Sequence, residues 1–116
     1  MRIPRLLIGV AAMMLAALAH AAPSDAAVDA MRRSAEAAFG RGDYQAAAEA
    51  FARLADAAPN DPSALYNLAC ARARMGDAPG AIEALTESIS IGFVDFHHME
   101  RDQDLAAIRD LGEYQL

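Results

Sequence analysis

The sequence predicts an all-α fold in which antiparallel helix pairs repeat along the chain and a C-terminal helix caps them. Three observations lead there. The phrase Gly42-Asp43-Tyr44-Gln45-Ala46-Ala47 returns 34 residues later as Gly76-Asp77-Ala78-Pro79-Gly80-Ala81. Each Gly-Asp pair reads as a helix stop followed by a helix start. Glycine takes the left-handed conformation that ends one helix, and aspartate accepts from the free N–H groups of the next. Alanine occurs 30 times in 116 residues and tryptophan never, a composition suited to helices packed through small side chains. A helix pair recurring at a period near 34 residues is the pattern of a helical solenoid.

The elements follow in order. Residues 1–21 read as a cleavable secretory leader: Arg2 and Arg5 open it, residues 6–19 carry no charge, and Ala19-His20-Ala21 fits the small-x-small cleavage pattern. The apolar run is shorter than the roughly 20 residues a spanning helix needs, and no cysteine follows it to take a lipid. The expectation is export to the periplasm or beyond, with residues 22–116 as the mature domain and no stable membrane insertion after cleavage.

Ser24 or Asp25 caps a first helix running to about Phe39, with Val28, Met31, Ala35 and Ala38 on its inner face and Phe39 flanking them. Gly40-Arg41-Gly42 ends it. Asp43 caps the second helix, whose face is Ala47, Ala50, Phe51, Leu54 and Ala58, and Pro59-Asn60-Asp61-Pro62 stops it. Asp61-Pro62 opens the third, since aspartate suits the cap and proline the first helical position. Its stripe is Leu65, Leu68, Ala69 and Ala73, with Tyr66 and Asn67 to one side. Asp77 caps the fourth helix, with Ala78, Ile82, Leu85 and Ile89 inward, and Gly92 ends it. The repeats span about 29–60 and 62–93, and residues 94–116 form a cap. Within the cap, Asp102 starts a final helix carrying Leu105, Ile108 and Leu111, laid over the open end of the array.

The formal charge is −6, or −8 once the leader is removed, with eight arginines against sixteen acidic residues. An acidic chain without a basic stripe argues against nucleic acid and anionic membrane surfaces as partners. The single cysteine, Cys70, excludes an intrachain disulfide. It reads as a small buried helix residue; the alternative is a disulfide-linked dimer.

The phrases Gly42-Asp43-Tyr44, Ala47, Phe51 and Pro59, followed by Leu65-Tyr66-Asn67-Leu68-Ala69, Gly76-Asp77, Ala81 and Leu85, resemble the tetratricopeptide repeat family. The resemblance covers Asp29 to about Gly92, and Gly92-Phe93 with Arg101-Asp102-Gln103-Asp104-Leu105 looks like the ending of many bacterial members. The chain departs from the pattern at Ala38, at Ala78 and at Phe93, where a proline is usual. The resemblance implies a right-handed array that binds a partner's peptide segment in the groove of the first helices. Carried over position by position, that groove is Arg32, Glu36 and Phe39 from the first helix and Tyr66, Asn67 and Arg74 from the third, flanked by Asp29, Ser63 and Cys70. Arg32 and Asn67 stand where chaperone-binding members hold a terminal carboxylate. Glu36 stands where that clamp needs an asparagine, and the third repeat that completes it is missing.

No catalytic constellation is visible, and no cofactor is implied. The serines lack a nucleophile-elbow context. Asp102 and Asp104 read as a cap and a first-turn acid, since negative charge favours a helix N-terminus. His97-His98-Met99-Glu100 resembles a copper-type donor set, but adjacent helical residues point about 100° apart. The expected function is a non-enzymatic protein–protein interaction module, an exported adaptor or scaffold with a protein or peptide partner. The alternatives are a structural homodimer and periplasmic metal handling through His97, His98 and Met99.

Overall fold

The computed structural model describes residues 22–112 and Tyr114. The leader read over residues 1–21 lies outside the described residues. The chain forms α1 (Asp25–Gly40), α2 (Tyr44–Ala57), α3 (Pro62–Arg74), α4 (Ala78–Ser90), α5 (Phe96–Arg101) and a 3₁₀ turn (Gln103–Leu105). Among the described residues there is no strand, and no helix is long and apolar enough to cross a membrane.

Every helix start is held by a side chain. Ser24 rather than Asp25 caps α1, its hydroxyl accepting from the Ala27 amide at 3.2 Å. Asp43, Asp61, Asp77 and Asp95 do the same for α2 to α5, at 2.9 to 3.2 Å. The helix ends repeat one geometry three times. Gly42, Gly76 and Gly92 have φ of 77°, 86° and 119°, and the amide after each reaches back to a carbonyl five residues earlier. Asp43 donates to Ala38 at 3.0 Å, Asp77 to Arg72 at 2.9 Å and Phe93 to Ser88 at 3.0 Å. The Gly-Asp phrase thus encodes two adjoining hydrogen-bond closures, and Gly92-Phe93 repeats the first of them.

The pairs α1–α2, α2–α3 and α3–α4 pack in sequence. Ala35, Ala47, Ala64, Ala69, Ala71 and Ala81 are all fully buried, so the helices meet along a seam of methyl groups that lets their backbones approach. Phe51 and Leu54 fill the centre. Helix α3 carries eight buried residues, from Ala64 to Ala73, because it is covered by α2, α4 and the tail. The buried Ser88 hydroxyl donates to the Pro62 carbonyl at 2.6 Å, tying α4 to the start of α3.

Two expectations change. The buried face of α4 is Ala81, Ala84, Leu85 and Ser88, while Ile82 is half-buried and Ile89 is 39% exposed. The buried face is mostly of small residues, while Ile82 lies at its edge in a groove with Ala78, Pro79 and Leu111. The helix expected after Asp102 is instead the 3₁₀ turn, continued by i→i−3 bonds such as Ile108 to Leu105 at 3.1 Å. Leu105, Ile108 and Leu111 lie strictly three apart, which suits three residues per turn. This tail packs chiefly on α3 rather than over α4. Leu105 and Ile108 are fully buried and Met99 nearly so, which makes the tail part of the core.

Candidate functional site

The tail and the faces of α1, α2 and α3 border an open cavity of about 360 Å³, lined by Glu36, Phe39, Phe51, Tyr66, Asn67, Cys70, His98, Asp102 and Asp104. Of the six groove residues carried over from the repeat pattern, Glu36, Phe39, Tyr66 and Asn67 line it. Arg32 and Arg74 do not. Arg32 donates to Asp61 at 2.6 Å, bracing α1 against the cap of α3. Arg74 donates to the Tyr44 hydroxyl at 2.7 Å, lies over its ring 4.9 Å from the centroid, and approaches Asp104 at 3.7 Å. Tyr44 in turn sits edge-on to Phe39, at 5.1 Å between ring centroids. Asp29 and Ser63 are exposed outside the cavity.

Asp102 is the hub of the site. Its Oδ2 accepts from the Tyr66 hydroxyl at 2.5 Å and from the Cys70 thiol at 3.8 Å, and lies 3.2 Å from His98 Nε2. Its Oδ1 accepts from the Asp104 amide at 3.0 Å, and its carbonyl accepts from Arg109 at 2.5 Å. Tyr66 is 5% exposed and stacks flat on Phe93, with centroids 4.3 Å apart and an interplanar angle of 4°. Tyr66 therefore holds the tail in place and is not a free groove residue.

The electrostatics follow from this packing. Desolvation pushes the Asp102 carboxyl up, but the hydrogen bonds from Tyr66 and the Asp104 amide, with the His98 ring beside it, outweigh that and hold it below the usual carboxylate value. Asp104 goes the other way, raised by desolvation and by the Asp102 charge. Burial, then the hydrogen bond to Asp102, lifts the Tyr66 hydroxyl far above its ordinary range. Burial, then the two aspartates, does the same to Cys70, which stays a thiol at neutral pH. Cys70 is 3% exposed, so its sulfur cannot meet a second copy unless the tail opens.

Potential donor atoms of Cys70, Asp102 and Asp104 lie within 4.8 Å of one another, and Asp102 there already accepts from Tyr66, Cys70 and the Asp104 amide. The His97-His98-Met99 set does not assemble. Met99 turns into the core while His97 is exposed, and His98 engages Asp102. Phe51, His98, Asp102 and Asp104 are cavity residues that the sequence pattern does not assign to the groove. The repeated acid in Asp102-Gln103-Asp104 was the available signal, and it also satisfies the simpler reading of a cap.

Paired helices with an open, aromatic-walled face define a helical-repeat binding module. The tetratricopeptide repeat profile matches residues 8–62 and 32–91. The chain belongs to the tetratricopeptide repeat family, whose members mediate protein–protein interactions and are typically non-enzymatic scaffolds. The first match begins inside the segment read as a leader. No curated protein and no solved structure matches the chain significantly.

Proposed function

We propose that this chain is an exported interaction module that docks an extended peptide segment of a partner protein against α1, α3 and the tail. The cavity carries the reading. Glu36, Phe39 and Asn67 present side chains to it without being sealed into the core. At about 360 Å³ it lies at the small end of ligand pockets, roughly 300–1,000 Å³, and an α-helix about 10 Å across would not enter it. The charge pattern of residues 1–21 supports export. The test is affinity capture from the exported fraction with the wild-type chain and with Asn67→Arg, identified by mass spectrometry. Partners retained by wild type and lost by the variant support docking in the cavity. An identical set from both sinks it.

A second reading is a homodimer along the outer edge of α4. There Ala78, Pro79, Ile82 and Leu111 line an apolar groove, and Ile89, Ile91, Val94 and Phe96 are exposed. Sedimentation as a monomer at every concentration would eliminate it.

A further inference from the structure

We propose that the groove selects a basic residue, arginine or lysine, in the segment it binds. The proposal rests on the docking reading above and names the chemistry of the partner. The cavity gathers three carboxylates, Glu36, Asp102 and Asp104, against aromatic walls from Phe39, Phe51 and Tyr66. The arginines nearest in the repeat pattern are spent elsewhere, Arg32 on Asp61 and Arg74 chiefly on Tyr44.

The carboxylates differ in what they have left to offer. Asp102 already accepts from Tyr66, Cys70 and the Asp104 amide. Asp104 shares a side-chain hydrogen bond with Asp102 and has the loose approach of Arg74 at 3.7 Å, whose side chain is 42% exposed, which leaves its second carboxylate oxygen available. Glu36 is exposed and has no hydrogen bond or ion pair among the described residues. Two acidic groups therefore face the cavity with acceptor capacity to spare.

A guanidinium or ammonium entering there meets charge-assisted acceptors on Glu36 and Asp104, an environment that stabilises such cations, beside the half-buried Phe39 on the cavity wall. An acidic or C-terminal carboxylate would meet like charge. The family's clamp chemistry is thus reversed in this chain by Glu36 and the tail aspartates. A cation beside Asp104 also offsets the desolvation and the Asp102 charge that raise its carboxyl.

The experiment is panning of a random twelve-residue phage-displayed peptide library against the full chain, with Glu36→Gln and Asp104→Asn as parallel baits. The expected result is a consensus with arginine or lysine at one fixed position. Synthetic peptides of that consensus should weaken about tenfold against Glu36→Gln and weaken further as salt rises. Glu36 is exposed and makes no hydrogen bond or ion pair among the described residues, so its variant keeps the comparison valid if Asp104→Asn folds poorly. Peptides that compete at the cavity but lack a fixed basic residue, or that bind Glu36→Gln equally well, overturn the charge selection and leave the docking reading standing. Failure to enrich any peptide displaced by Asn67→Arg overturns both.

Discussion

The Tyr66 hydroxyl donates to the Asp102 carboxylate at 2.5 Å across 36 residues of sequence. This bond joins the middle of α3 to the tail, beside the flat stack of Tyr66 on Phe93. Tyr66→Phe keeps the stack and removes the donor. It should lower stability by about 1–3 kcal/mol, the usual cost of taking a hydrogen-bond partner from a charged, largely buried group. Urea unfolding measures the loss, and an unchanged midpoint would mean that the bond contributes nothing.

Acid should loosen the tail first. The Asp102 carboxyl is depressed in the folded chain, so the stability it supplies is present above its unfolded value near pH 4 and disappears as pH falls through the lower folded value. Asp104 is raised, so it costs stability as pH climbs from about 4 through its folded value. Asp102→Asn should flatten the acid side of a pH series of urea midpoints, and Asp104→Asn should raise the midpoints above it. A shared, unaltered profile in both variants would contradict the assignment.

Cys70 should resist thiol reagents in the native protein. Its sulfur is buried, and its thiol is raised by burial and by two neighbouring carboxylates. Reaction with a disulfide reagent at mild alkaline pH should proceed at the rate of local opening and become fast in urea. Immediate labelling of the native chain would contradict this burial.

Ser88→Ala tests the joint between α3 and α4. The hydroxyl is fully buried and donates to the Pro62 carbonyl at 2.6 Å. Its removal should cost about 1 kcal/mol, seen as a lower thermal midpoint with unchanged helical circular dichroism. By contrast, Arg32→Ala removes a partly exposed ion pair and should cost less than about 1 kcal/mol.

The repeat architecture was legible because its signals are local. Asp43, Asp61 and Asp77 cap the helices they announce, and Gly42 and Gly76 take the left-handed turns their position demands. The face of α4 was harder to read. Ile82 and Ile89 give the stronger apolar periodicity, but Ala81 and Ala84 face α3, since a close seam favours small residues over large ones. The cavity was only half legible. Glu36, Phe39, Tyr66 and Asn67 follow from repeat position, whereas Asp102 and His98 arrive through a tail whose path over α3 depends on tertiary packing. The same packing turned Tyr66 from a recognition residue into an anchor.

The alanine seam has a consequence for how this chain can vary. At Ala35, Ala47, Ala64, Ala69, Ala71 and Ala81 there is no free surface, so each position resists growth, and the one shrinkage open to it, to glycine, costs about 1 kcal/mol in a helix interior. Adding even one or two methylenes to such contacts costs roughly 1–3 kcal/mol. A saturation mutagenesis map should therefore show narrow bands of size intolerance along the helices, separated by permissive stretches. Sequence change in descendants would be channelled onto the outer faces, while the inter-helix spacing stays fixed by six methyl groups.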